Sequence, residues 1–262
     1  MHEVTILNEK GEKLEELYSL IYPDFGDLNR INSHLRIPKK KNRLEHHMGY
    51  QLSVWFESFY EKVWQAEISL VNMLHILDQG INDENWFNKT RGGFQLFTQF
   101  EEKDHFLKSY YDNYSDIFLY KVSSALDILA NIGCIMYDWN IPKPSFEKCW
   151  KIERNQQQVQ KSNPELYSKL NKIIEKSIYQ KFRELRNDYT HNFPPSTPTS
   201  GVIRYQDGKG PISELGGVKY RVTTSFSGEN IIYITSNEMK NLCIDIWDML
   251  IEIIDIVDDH MI

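Results

Sequence analysis

The stretch NPELYSKLNKIIEKSIYQKFRELRNDYTHNFPP, residues 163–195, decides how the chain is read. Asn163 can cap a helix, Pro164 suits its first position, and Glu165 faces the positive end of the helix dipole. Leu166, Leu170, Ile174, Ile178, Phe182, Leu185 and Tyr189 then recur every three or four residues, the spacing of one helix face. Pro194-Pro195 forbids continuation. The spacing predicts one long amphipathic helix from about Asn163 to His191.

Working outward, the same periodicity appears three more times. From Leu44 to Leu77 the apolar residues include Leu52, Trp55, Phe56, Phe59, Val63, Ala66, Leu70, Met73 and Leu74. From about Lys103 to Trp139 they include Phe106, Tyr110, Tyr114, Ile117, Val122, Leu126, Leu129 and Ile132, and Pro142 and Pro144 close that helix. The last begins at a capping box, Thr235-Ser-Asn-Glu238, and runs through Leu242, Ile246, Trp247, Leu250, Ile253, Ile254 and Val257. Between Thr197 and Thr235 the period drops to two. Val218, Tyr220, Val222, Thr224 and Phe226 alternate with polar residues, flanked by Gly201–Tyr205, a turn at Asp207-Gly208, and Ile231–Ile234. The expectation is a mainly α bundle of four to five long helices with a small antiparallel β-hairpin or sheet inserted near residues 200–235. Residues 1–262 are read as a single domain. Within it 1–40 form a less regular extension, with a short helix over Leu14–Ile21 and a basic loop over 38–43, and 197–235 form the insertion.

The chain has 262 residues, 41% hydrophobic and 26% charged, with 15 Tyr, 13 Phe and 6 Trp. That is enough apolar surface for a core and excludes global disorder. Cys134, Cys149 and Cys243 are odd in number and form no CxxC pair, which argues against a disulfide framework or a thiolate zinc site and for a reducing compartment. No apolar run of signal-peptide length opens the chain, and acids interrupt the apolar stretches elsewhere, so a soluble cytoplasmic protein without membrane spans is expected.

The net charge of −7 excludes an extended non-specific nucleic-acid surface, yet it is unevenly spread. Residues 236–262 hold seven acids and one lysine, a net of −6, which leaves −1 for the other 235 residues. Over Lys161–His191, seven bases outweigh four acids, a net of +3, the field a phosphate substrate requires.

Chemistry concentrates in Phe182-Arg-Glu-Leu-Arg-Asn-Asp-Tyr-Thr-His-Asn-Phe193. Arg186 and His191 are separated by four residues, Asn187 follows the arginine, and no other histidine has an arginine with four to six residues between. This RxxxxH arrangement resembles the signature of the HEPN superfamily, helical-bundle proteins of which many are metal-independent endoribonucleases. The resemblance in helix pattern spans Leu44–His191 and the final helix; the residue-level match is confined to the motif. RNA cleavage without a metal needs a base for the 2′-hydroxyl proton, an acid for the leaving 5′-oxygen, and a cation for the charge growing on phosphorus. Imidazole serves the first two near neutral pH, and a planar guanidinium grips two phosphate oxygens. The resemblance implies His191 as acid/base group, Arg186 as phosphate clamp and Asn187 as orienter, with Arg183 and Lys181 as substrate-binding cations and no cofactor. It also implies a homodimer with two motifs across one cleft, RNA as substrate, and a toxin or antiviral role with a cognate antitoxin or a nucleotidyltransferase as partner.

Helix geometry bears on this. Five residues at about 100° each leave Arg186 and His191 some 140° apart, so either the helix unwinds before His191 or a second copy completes the site. Alternatives stay open. Arg186 could pair with Glu184, Asp188 or a neighbouring helix, and His191 could be a helix-terminal residue in a catalytically inactive binding module that engages a nucleotide or partner protein. Glu45-His46-His47, His75 and His105 lack paired metal-ligand spacing. Gly208–Pro211 and Glu214–Gly217 are turns, and Lys39, Lys40, Lys41 and Arg43 read as solvated surface.

Overall fold

The computed structural model describes residues 50–83, 87–90, 93–96, 100–191, 194–196, 202–204, 211–222, 224–226 and 233–260. The expectations for residues 1–49, including Leu14–Ile21, the basic run, His46 and His47, lie outside them. Seven helices are described: α1 (Tyr50–Asp78), α2 (Glu102–Tyr137), α3 (Phe146–Lys151), α4 (Glu153–Ser162), α5 (Pro164–Ile174), α6 (Ser177–His191) and α7 (Ser236–His260). The mainly α bundle with a small β insertion is what the chain forms.

α1 and α2 make the most extensive helix pair, and α7 packs against α1, α2, α5 and α6. Phe59, Ala66, Leu70 and Met73 of α1, Phe118, Val122, Ala125 and Ile132 of α2, and Trp247, Leu250 and Ile253 of α7 are almost wholly buried. Burying one such side chain is worth about 1.5–3 kcal/mol, so the one-sided apolar pattern is the main stabilising term. α2 is also, among the described residues, the one helix long and apolar enough to cross a membrane, and half of that stretch is buried in the bundle. α7 opens at its capping box. The Thr235 amide donates to the Glu238 carboxylate at 2.9 Å, and the Glu238 amide donates to Thr235 Oγ1 at 3.3 Å.

Three details depart from expectation. First, α2 ends at Tyr137, before the prolines: Asp138 adopts a left-handed conformation (φ 52°), and the Trp139 amide donates to the Cys134 carbonyl at 3.1 Å. The Trp139 ring then folds back onto Gly133, where a Cβ would lie 2.4 Å from it.

Second, the helix expected over 163–191 is two helices. Steps of four drift about 40° each around a helix, so an unbroken stripe from Leu166 to Phe182 would leave the core. The chain breaks at Glu175–Lys176, where the Gln180 side chain caps the Ile174 carbonyl at 2.8 Å and Lys176 pairs with Glu252 of α7 at 2.6 Å. Ile173 and Tyr179, not Ile174 and Ile178, are the buried residues flanking the break. α3 and α4, which follow the Pro142-Lys-Pro144 segment, go unread in the sequence: α3 has only six residues, with Phe146, Cys149 and Trp150 buried, and α4 buries only Asn155 and Val159.

Third, the strands differ. β1 (Phe87–Thr90) and β2 (Gly93–Leu96) form an unexpected antiparallel pair. In the insertion, β3 (Val202–Arg204) pairs with β6 (Thr224–Phe226), and β4 (Ile212–Leu215) pairs with β5 (Val218–Arg221). The Val218–Phe226 alternation is thus split between two partners. The tight turn is Gly216-Gly217, with φ of 60° and 79°, a primed-turn geometry that glycine adopts without strain; Asp207-Gly208 lies outside the described residues. Tyr233–Thr235 is not a strand; the Ile234 amide instead donates to the Pro195 carbonyl at 2.9 Å. The two roots of the insertion therefore meet beside the carboxyl end of α6.

Cys134, Cys149 and Cys243 are free thiols. Cys134 and Cys149 hydrogen-bond to each other across α2 and α3, a contact that holds the Cys134 thiol below its ordinary range and pushes Cys149 up.

Candidate functional site

α6 divides its residues by face. Tyr179, Phe182 and Leu185 are buried, and Arg183, Arg186 and Asn187 line a cleft of about 240 Å³ that Tyr179 and Phe182 floor. Its other walls are Ser123, Leu126 and Asp127 of α2, and Ser145, Phe146 and Glu147 at the start of α3. Ser145 caps α3 by accepting the Lys148 amide at 3.3 Å. Asp127 Oδ1 accepts the Phe146 amide at 2.9 Å, which ties α3 to α2 at the cleft edge.

The Arg186 Nη1 donates to Asn187 Oδ1 at 3.2 Å, while its Nε is buried with no hydrogen-bond partner among the described residues. A buried, unpaired guanidinium nitrogen costs about 1–3 kcal/mol or more. The Arg186 guanidinium acts on the Asp127 carboxylate across the cleft. Burial raises the Asp127 carboxyl above its usual range and Glu147 adds to this, while the Phe146 amide, Arg186 and Lys148 oppose it. Arg183 Nε pairs with Glu147 and its Nη1 donates to Gln180 Oε1 at 3.0 Å.

The structure brings Arg186, Asn187 and Arg183 together. Lys181 is exposed and not part of the cleft, since it lies about 140° around α6 from Arg186. His191 is the last residue of α6, and the helix runs unbroken through Tyr189 and Thr190 to reach it. The unwinding considered from sequence does not occur: the two motif residues sit about 140° apart and about 7.5 Å along the axis. The cleft charge also differs from the +3 of the Lys161–His191 segment. Two arginines face two carboxylates, a formal balance of zero, and Lys176 spends its charge on Glu252.

Asp127 and Glu147 escaped the sequence reading. Asp127 follows Leu126 by about 100° around α2, outside the arc of Val122, Leu126, Leu129 and Ile132, so the helix pattern reads it as an ordinary flanking acid. Among the described residues no three His, Cys, Asp or Glu side chains gather as a metal site; the His75 ring meets Gln79 at 3.2 Å, and the His105 ring stacks on Phe100.

The model of the HEPN_Cthe2314-like HEPN family matches residues 55–261, which is 207 of the 262 residues. No curated protein and no solved structure matches the chain.

Proposed function

The chain belongs to the HEPN superfamily, within its HEPN_Cthe2314-like family, and from that premise we propose that it is a metal-independent endoribonuclease whose composite Arg/His site forms across a homodimer. The observation that carries this is the cleft itself: Arg186 and Asn187 of the motif line it together, and among the described residues the buried Arg186 Nε has no hydrogen-bond partner. In this reading Arg186 grips the scissile phosphate and Asn187 orients the guanidinium. An imidazole takes the 2′-hydroxyl proton as O2′ attacks phosphorus, and a second imidazole protonates the departing 5′-oxygen. The products are a 2′,3′-cyclic phosphate and a 5′-hydroxyl. Each chain supplies one His191, turned about 140° from its own Arg186 on a regular helix, so dividing acid from base needs the second copy. The whole chain, 1–262, acts as one domain with 197–235 as an insertion, serving as a cytoplasmic toxin or antiviral effector held by an antitoxin or nucleotidyltransferase partner.

The test is cleavage of single-stranded RNA in EDTA. Wild-type protein cuts and sediments as a dimer; His191→Ala abolishes cutting with its helical circular dichroism intact. Full activity in that variant overturns the roles assigned.

A second reading has one observation in its favour: Asp127 and Glu147 balance the cleft arginines, as suits an inactive HEPN-like module that binds a nucleotide or a partner protein. Its mark is RNA left uncut by wild-type protein that nonetheless binds a mononucleotide in the cleft, with Arg186→Ala losing that binding.

A further inference from the structure

His191 lies between two anchors. Two residues before it, Tyr189 Oη meets Ser196 Oγ at 2.7 Å; Ser196, five residues after it, is 2% exposed. Asp112 of α2, whose carboxyl pKa burial raises and Lys108 and Ser196 lower, pairs with Lys108, one turn earlier, at 2.5 Å. Lys108 is itself buried, with its ammonium 5.5 Å from the Tyr111 ring centre and 6.0 Å from that of Tyr233. The Tyr189 and Ser196 hydroxyls can each donate or accept. Tyr189, Ser196, Asp112 and Lys108 form one polar cluster joining the end of α6 to α2. Beside it, the Pro195 carbonyl accepts the Ile234 amide.

A helix end is where order is ordinarily lost. The last four carbonyls lack helical partners, and terminal turns fray. Here the turn that carries His191 is closed by a hydrogen-bonded bridge from residue 189 to residue 196. A part-buried polar network of this kind stiffens what it holds.

We propose that Tyr189, Ser196 and Asp112 are positioning residues for His191: they clamp the carboxyl-terminal turn of α6 so that the imidazole is presented from a fixed backbone. This rests on His191 being the acid/base group. The clamp touches no substrate, so it acts on turnover and not on RNA binding, which belongs to Arg186 in a cleft more than a turn away.

The experiment compares Tyr189→Phe and Ser196→Ala with Ser115→Ala, whose equally buried hydroxyl donates to the Tyr111 carbonyl within α2 at 2.9 Å. Steady-state cleavage of a fluorogenic single-stranded RNA gives kcat and KM, and hydrogen exchange reports the Thr190 and His191 amides. Tyr189→Phe and Ser196→Ala lower kcat by about ten-fold or more, since small misplacements of a reacting group are costly. They leave KM within about two-fold, as binding does not depend on the clamp, and they speed exchange at residues 190 and 191. Ser115→Ala does neither. Unchanged kcat in both clamp variants, or an equal fall in Ser115→Ala, overturns the proposal. A wild-type chain that cuts no RNA refutes the nuclease reading and leaves exchange to decide the clamp: faster exchange in Ser196→Ala sustains it, unchanged exchange overturns it.

Discussion

Replacing Glu147 by Gln should tighten RNA binding, although it destroys an ion pair. Arg183 Nε is paired with Glu147, and the side chains are 21% and 42% exposed. The pair stands in the cleft with Arg186 and Asp127, so the four formal charges cancel. Gln keeps the volume and can still accept from the guanidinium, but it leaves the cleft at +1. For a phosphate about 8 Å from the removed charge, in a partly solvated site of effective dielectric about 40–80, the gain is about 0.5–1 kcal/mol, or about two- to six-fold in Kd. The lost pair itself is worth at most about 1 kcal/mol of stability at this exposure, so the fold survives. Fluorescence polarisation of a labelled single-stranded RNA measures this, in EDTA and in the His191→Ala background so that bound RNA stays whole. The gain should shrink as salt rises from 50 to 200 mM, because screening lengths fall to about 8 Å near 0.15 M. A Kd equal to or weaker than that of the parent across the salt series, in a protein with unchanged melting temperature, refutes the electrostatic reasoning.

Two further outcomes follow from packing and burial. Asp127 titrates above its usual range because burial penalises its charge; between the unfolded and folded pKa values the native state binds more protons, so stability falls as pH rises through that window and the penalty persists above it. Asp127→Asn, which keeps an acceptor for the Phe146 amide, should raise the urea midpoint at pH 7 and lose that advantage near pH 3; equal midpoints at pH 7 would contradict it. Gly133→Ala places a Cβ 2.4 Å from the Trp139 ring, an overpacking that costs about 1–3 kcal/mol and lowers the melting temperature by several degrees. Trp139→Leu should lose less stability in that background than in the wild type, and strict additivity would show that the two groups do not clash.

How much of this was legible depends on the range of the interactions. α1, α2 and α7 could be read because each has a wide apolar stripe to bury, and the capping signals Thr235-x-x-Glu238 and Asn163-Pro164 are local backbone chemistry that forms where it is written. The break between α5 and α6 could not be. Neither glycine nor proline marks it, and the residues that meet it, such as Glu252 pairing with Lys176, lie far along the chain. α4 was missed because its ten residues bury only Asn155 and Val159, too few for a pattern. β1 and β2 are four residues each, below the length at which alternation speaks.

The candidate site divides the same way. Arg183, Arg186 and Asn187 are sequence neighbours at helical spacing and share one arc of α6, whereas Lys181, grouped with Arg183 from the sequence, lies on another arc and outside the cleft. The periodicity that made α6 a helix also set His191 about 140° from Arg186, once the structure showed no unwinding between them. Which groups oppose those side chains was settled by packing alone. Asp127 and Glu147 come from α2 and the start of α3, and they turn a segment of net charge +3 into a cleft of formal charge zero. The reason is physical: periodicity fixes angles around an axis, whereas Coulomb energy and hydrogen bonds depend on distances through space, and those exist only after the helices have packed.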